Sequence, residues 1–376
     1  MAYDTRPIRS DGDATRSPDR GDRRSRTALS TPSRSADADN GTRATAVDRG
    51  GVARAVLQWV TGDRVDARRV VRLADRRWRG AMEPLLGPED VLLLPAESVT
   101  DDDATREAPT CDGAAVLNYR GGLDEPGDVA WFGELRVQTE DYASIAFLPV
   151  TGATTARLRD ANGWQAYRED ADAARASGRL IPQLLGAAVA VSGLPLTDDP
   201  AAGPVAAVDV DRDGVATLGP DGLVLGDARD PDGLAAALDR SYRPLDRLAA
   251  LGGDVADDIA RRPWLALYRA GLAFAAADDT GPAWSVVGLG TSLRPDGEVA
   301  TLTRSDLILL HRGDERVLVE PRTLRRFALA PATAIVVERL LSEGPDDGVR
   351  TPADEAFVAR LVERFEHEGV HLRRGA

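Results

Sequence analysis

Asp306-Leu-Ile-Leu-Leu-His-Arg-Gly-Asp-Glu-Arg-Val-Leu-Val-Glu320 reads as two β-rich runs, Asp306 to Arg312 and Arg316 to Glu320, folded back on each other about the turn Arg312-Gly313-Asp314. Short apolar runs bounded by Gly, Asp and Ser punctuate an antiparallel meander. Upstream, Val299 to Thr303 predicts a first strand that ends at Arg304-Ser305, and downstream Thr323 to Leu329 adds one more. Pro331, a favoured first-turn residue, opens a helical run that carries Ile335, Val336, Leu340 and Leu341 as far as Gly344. A closing helix starts at Thr351-Pro352 and spaces Phe357, Leu361 and Phe365 four residues apart, with Val358 and Val362 beside them. A small sheet with an open edge beside an amphipathic helix is a groove for an extended peptide.

Leu307-Ile-Leu-Leu310 with its charged turn, Arg316-Val-Leu-Val-Glu-Pro321, the helix Ala332 to Glu343 and the final helix ending Glu368-Gly369-Val370 resemble a known recognition element. It is the winged-helix, PqqD-like domain of peptide-modifying biosynthesis systems, which holds the leader of a ribosomally made precursor peptide. Family members usually carry another helix between the last two, whereas here only Gly344 to Arg350 separates them. The rest of the chain is similar to the recognition proteins of daptide-type clusters, whose partner enzymes rebuild the precursor's C-terminus. The resemblance implies a non-catalytic protein that binds a leader by strand addition and presents it to modifying enzymes. On this reading Arg325, Phe327, Phe357, Leu361, Arg364 and Phe365 contact the peptide. The matching motifs cover about a fifth of the chain, so the functional implication rests on likeness of fold.

At 376 residues and 43% hydrophobic content the chain can fill two or three modest domains. All 47 basic residues are Arg, since no Lys occurs. Exclusive use of Arg beside abundant Ala, Asp and Gly reflects GC-rich coding before any Arg-specific chemistry. The net charge is −14, and the first fifty residues carry ten Arg against eight Asp, which leaves the remainder at −16. A body this acidic repels phosphate backbones, so nucleic acid is not an expected partner. Cys111 stands alone, which excludes an intrachain disulfide and the paired thiolates of a structural zinc site. No run approaches a membrane span and no signal-peptide core is present, so the expectation is a cytoplasmic protein without a membrane partner.

Residues 1–50 hold hardly an aliphatic side chain and read as a disordered tail. Order is expected from Val52 to Val60, then in an amphipathic stretch from Val65 to Trp78 whose Arg68-Arg69, Arg72, Arg76-Arg77 and Arg79 read as the exposed face of a helix. Val91 to Leu94 reads as a buried strand, followed by an acidic loop at Asp101 to Asp103. Strands are expected at Ala115 to Tyr119, Val129 to Thr139 and Tyr142 to Val150, then a helix over Thr151 to Arg179 with Leu158, Trp164 and Tyr167 in the core. Ala187 to Ser192 and Pro204 to Leu225 return to strands, and helices follow at Asp232 to Leu251 and Val255 to Ala277. The expected class is α+β: a mixed α/β body over 51–285, in one or two subdomains, followed at 286–376 by a winged-helix-like module of a three-stranded meander plus helices.

Positive signals for catalysis are absent from this sequence. Asp209-Val-Asp211-Arg-Asp213-Gly214 opens like a calcium loop, but its twelfth position is Pro220 and β-like runs flank it, so a hairpin turn accounts for it. Gly288-Leu-Gly290 lacks the third glycine of a dinucleotide loop. The absence of Lys removes the Walker loop and Schiff-base chemistry. His367 and His371 stand four apart with Gly369 between them, which suits a helix end better than a metal pair. Trp131-Phe-Gly133-Glu134 is first of all core material. No cofactor and no metal are expected, and the chain reads as a non-enzyme. Two other classes remain open: an unfamiliar enzyme using carboxylates of the body, or a winged-helix DNA-binding regulator.

Overall fold

The computed structural model describes residues 49–97, 113–148, 152–181, 184, 189–192, 202–252, 255–277, 284–295, 297–299, 302, 306–321, 325–342 and 352–372. The tail up to residue 48, the acidic loop at 101–103, Cys111 and the connection at 344–350 lie outside these described residues.

A helix α1 (Arg49–Thr61) leads into β1 (Arg69–Leu73), α2 (Arg79–Met82), β2 (Asp90–Pro95) and β3 (Ala115–Gly121). The hairpin β4 (Val129–Phe132) and β5 (Leu135–Asp141) follows, then α3 (Tyr142–Ile145), β6 (Ala153–Arg157), α4 (Ala161–Ser177) and β7 (Val189–Val191). Next come β8 (Gly203–Pro204), β9 (Ala207–Val210), β10 (Val215–Thr217) and β11 (Val224–Asp227). Helix α5 (Pro231–Leu238), β12 (Ser241–Tyr242), a 3-10 turn over Pro244–Leu251, α6 (Val255–Arg261) and α7 (Trp264–Ala277) connect to the C-terminal part. There the order is β13 (Ser285–Val286), β14 (Ile308–Arg312), β15 (Glu315–Glu320), β16 (Arg325–Ala328), α8 (Pro331–Ser342) and α9 (Pro352–His367).

The protein is mixed α/β. A ten-stranded mixed sheet runs in the order β11-β10-β9-β1-β2-β3-β4-β5-β6-β7, and a separate antiparallel sheet runs β13-β14-β15-β16. Strands β9, β1, β2 and β3 are mutually parallel, as are β5, β6 and β7. Alternation along β1 sends Val71 and Leu73 into a layer shared with Met82, Leu234 and Leu238. Val70 points the other way, into a layer with Leu93, Leu117, Phe132 and Val137 built on Val52, Val56, Trp59 and Val60 of α1. Helix α1 touches β9, β1 and β7, strands far apart in the order, so the large sheet curls around it.

This architecture corrects the reading of Val65 to Trp78. Its centre is a strand buried at all five positions, Arg69 and Arg72 included. A parallel strand covered on both faces loses the polar alternation that would announce it. Two further boundaries move. Tyr142 to Val150 is not a strand at its start, because Tyr142 and Ile145 bury one short helical face, and a strand, β6, precedes α4. Asp160 then caps α4 by accepting from Gly163 N at 2.9 Å, and Gly178, at φ +72°, ends it.

The small sheet corrects the three-stranded meander to four strands. Its first strand is Ser285–Val286, paired antiparallel with His311 and Leu310, while Val299 and Leu302 lie in no strand. Val286 and Val287 bury in the core, which is why this short run takes the edge. One hydrophobic cluster joins Trp164, Tyr167, Tyr268 and Phe274 of α4 and α7 to Leu309, Leu318, Val337, Leu361 and Phe365. The core therefore passes residue 286 without a break.

Candidate functional site

Strand β16 ends the small sheet, and α9 lies beside it. Phe327 meets Phe365 edge to face with ring centroids 5.3 Å apart. The Arg325 guanidinium sits 5.1 Å from the Phe327 ring centre, and its Nη2 donates to Glu368 O at 2.7 Å. Arg326, on the opposite face of the strand, lies 4.6 Å over the Phe274 ring of α7. Arg325 and Phe327 are half-buried and Arg326 and Ala328 exposed, and no further strand pairs with β16 among the described residues.

The ladder register decides what that edge presents. Leu329 N donates to Arg316 O at 2.9 Å, and the pairs Leu318↔Phe327 and Glu320↔Arg325 follow in step. Antiparallel pairs alternate between bonded and non-bonded. Ala328, paired with Val317, falls on a non-bonded pair, so its N–H and C=O point away from β15. Its side chain is exposed.

Phe357, Leu361 and Arg364 repeat at helical spacing along one stripe of α9, and just past its end the main-chain oxygen of Glu368 accepts from Arg325 of β16. Phe357 is 37% exposed and Arg364 is exposed, whereas Leu361 and Phe365 are buried. The structure thus brings Arg325, Phe327 and Phe365 into contact, while Phe357 and Arg364 are exposed on α9 and no contact joins them to β16 among the described residues. Leu361 and Phe365 belong to the core.

A second cluster, which the sequence reading missed, lies at the carboxyl ends of the parallel strands. Arg72, 1% exposed, donates from Nε to Tyr119 Oη at 3.1 Å and from Nη1 to Asp124 at 2.6 Å and Asp209 at 3.1 Å. Tyr119 Oη donates in turn to Leu73 O at 2.7 Å. Burial raises the Asp209 carboxyl although Arg72 and Arg157 oppose it. Burial also acts upward on Asp124, but the hydrogen bond and charge of Arg72, with Arg212 and Arg157, outweigh it and hold that carboxyl low. Burial pushes the Tyr119 hydroxyl up to about 12. Arg157 donates from Nε to Asp221 at 2.8 Å and from Nη1 to Leu123 O at 2.8 Å. The clue was an Arg inside Val70-Val71-Arg72-Leu73, where flanking β-branched residues outweigh the charge run.

Open parallel sheets take ligands outside the strand ends, where the strand order reverses. Here that point lies between β1 and β9, and the protein's own side chains span it. Arg76 Nη1 donates to Pro95 O at 3.0 Å and to Asn118 Oδ1 at 3.2 Å, while Trp78 Nε1 donates to Arg212 O at 3.3 Å. The Asp209 to Gly214 segment next to it is the turn of a β9–β10 hairpin, in which Asp211 Oδ1 accepts from Asp213 N and Val215 N. Among the described residues no group of three or more His, Cys, Asp or Glu side chains could hold a metal ion, and no helix is long and apolar enough to cross a membrane. His311 lies in β14 and its imidazole is lowered by burial and then by Arg316, while His367 closes the last turn of α9.

No known family model, curated protein or solved structure matches this chain.

Proposed function

We propose that this protein recognises an extended peptide by strand addition to β16, and that β14–β16 with α8 and α9 act as a winged-helix-like module of the PqqD-like kind. The observation that carries this reading is the outward-facing main chain of Ala328 on a terminal strand, next to α9, which touches that strand through Phe365 and carries the exposed Phe357. Strand addition draws affinity from main-chain bonds and specificity from side-chain pockets at alternate positions. Arg325, Phe327, Phe357 and Arg364 supply such positions. The reading extends to a precursor-peptide leader as ligand and modifying enzymes of the same pathway as partners, with the α/β body as their docking platform in the cytoplasm.

Ala328→Pro tests it. Proline removes an N–H that β15 does not use, and a terminal strand tolerates it there. Peptides selected from a displayed library on the full chain, or short peptides encoded beside its gene, serve as probes. Binding should weaken about tenfold, the value of one net main-chain hydrogen bond of ~1.4 kcal/mol, with the melting midpoint nearly unchanged. Equal affinity of a folded Ala328→Pro variant would remove this edge as the binding site.

A further inference from the structure

The turn between α1 and β1 gathers two guanidinium groups around one carboxylate. Arg269 projects from α7, a helix buried along most of its length, and its side chain is 7% exposed. Its Nη2 donates to Asp63 Oδ2 at 3.1 Å. Its Nη1 is shielded from solvent and has no hydrogen-bond partner among the described residues. Arg247 arrives from the 3-10 turn and donates from Nη1 to Thr61 O at 3.0 Å. It lies flat against Gly62, where a Cβ would fall 2.1 Å from the Arg247 Cζ, and Gly62 itself holds φ +68°. Glycine is needed there both for the left-handed backbone and for the close approach.

Among the described residues one carboxylate, Asp63, faces these two guanidinium groups. Burial lowers Arg247; Asp63 acts against that shift, and Arg269 adds to it. A guanidinium does not deprotonate in a protein, so the second cation persists. Tyr167, the other titratable group near Arg269, spends its hydroxyl hydrogen on Leu265 O at 3.2 Å. A shielded donor without an acceptor is costly, more so on a charged group.

We propose that Gly62, Arg247 and Arg269 form a binding site for a small oxyanion of carboxylate or phosphate type, whose oxygens accept from Arg269 Nη1 and from the neighbouring Arg247 fork. Paired guanidinium forks match such oxygens in geometry and charge. The site lies on the α1–β1 turn, apart from the β16 edge in sequence and chemistry, and stands whether or not the peptide reading does.

The test uses the full chain in chloride buffer, titrated at constant ionic strength with inorganic phosphate in one arm and acetate in the other, read by melting midpoint and calorimetry. We expect a saturable rise of a few degrees in at least one arm, the responding arm naming the oxyanion, and loss of that rise in Arg269→Met. Phosphate also stabilises proteins by exclusion from their surface, but that effect does not saturate and is shared by the variant. No saturable response in either arm, or an equal one in Arg269→Met, overturns the proposal. If Arg269→Met does not fold, Arg247→Gln at the half-buried partner replaces it, and an undiminished response there overturns the proposal as well.

Discussion

At the scale of single residues, the strongest commitment in the fold is Arg72. Its guanidinium holds Asp124 and Asp209 together across β1, β9 and the loop after β3. Removing one member of a buried charged set leaves the others uncompensated, at about 3–5 kcal/mol. Arg72→Met should therefore destabilise strongly in denaturant titrations, and adding Asp209→Asn should restore part of the loss. The pH dependence has a defined sign. Asp124 is held below its unfolded value, so its contribution is present above that value and lost as pH falls through the folded one. Asp209 is raised, so the penalty of ionising it grows as pH rises through its folded value. Without Arg72 the first contribution disappears and the second penalty deepens. The deficit of Arg72→Met should accordingly shrink in acid, and a deficit independent of pH would contradict the assignment of these two carboxylates.

At the scale of elements, α9 separates two roles that one spacing seemed to unite. Residues eight apart on an α-helix differ by about 80° in direction, so Phe357 and Phe365 stand at the two margins of one face with Leu361 between them, the first exposed and the second buried. Phe365 packs on Phe327 in the core, and Phe357 is exposed. Phe365→Ala should cost about 3–5 kcal/mol of stability, whereas Phe357→Ala should stay within about 0.5 kcal/mol and still weaken the selected peptides. Chemical denaturation and a binding titration of the same two variants check both halves. The strands show the complementary lesson. Asp306 to Arg312 and Arg316 to Glu320 were legible because turn residues bound them on both sides, and the structure places β14 within the first and β15 over the second, starting one residue earlier at Glu315. Of the run at Val299 to Thr303 the described Val299 and Leu302 lie in no strand, and Ser285–Val286 pairs with β14. Local propensity does not say which of two short segments reaches an edge.

At the scale of the whole molecule, the small sheet does not own its core. Ile308, Leu309 and Leu310 are all buried, and α7 as well as α8 packs against β14. A fragment of residues 286–376 would expose that surface, and the prediction is that it shows no cooperative thermal transition, while the full chain unfolds 45–376 as one unit. Circular dichroism melts of the two species decide it. The sequence by itself determined the strands β14 to β16, the helix starts at Pro331 and Pro352, the hairpin at Asp211 to Gly214 and the buried aromatics of α4, because caps, turns and periodicity act through near neighbours. Tertiary structure alone decided that Arg72 is buried, that α1 lies inside the curl of a ten-stranded sheet and that Arg247 and Arg269 converge on one turn. The side-chain contacts of these arginines join residues 47 to 206 positions apart, and a charge far from its partner in sequence looks the same as a charge facing water.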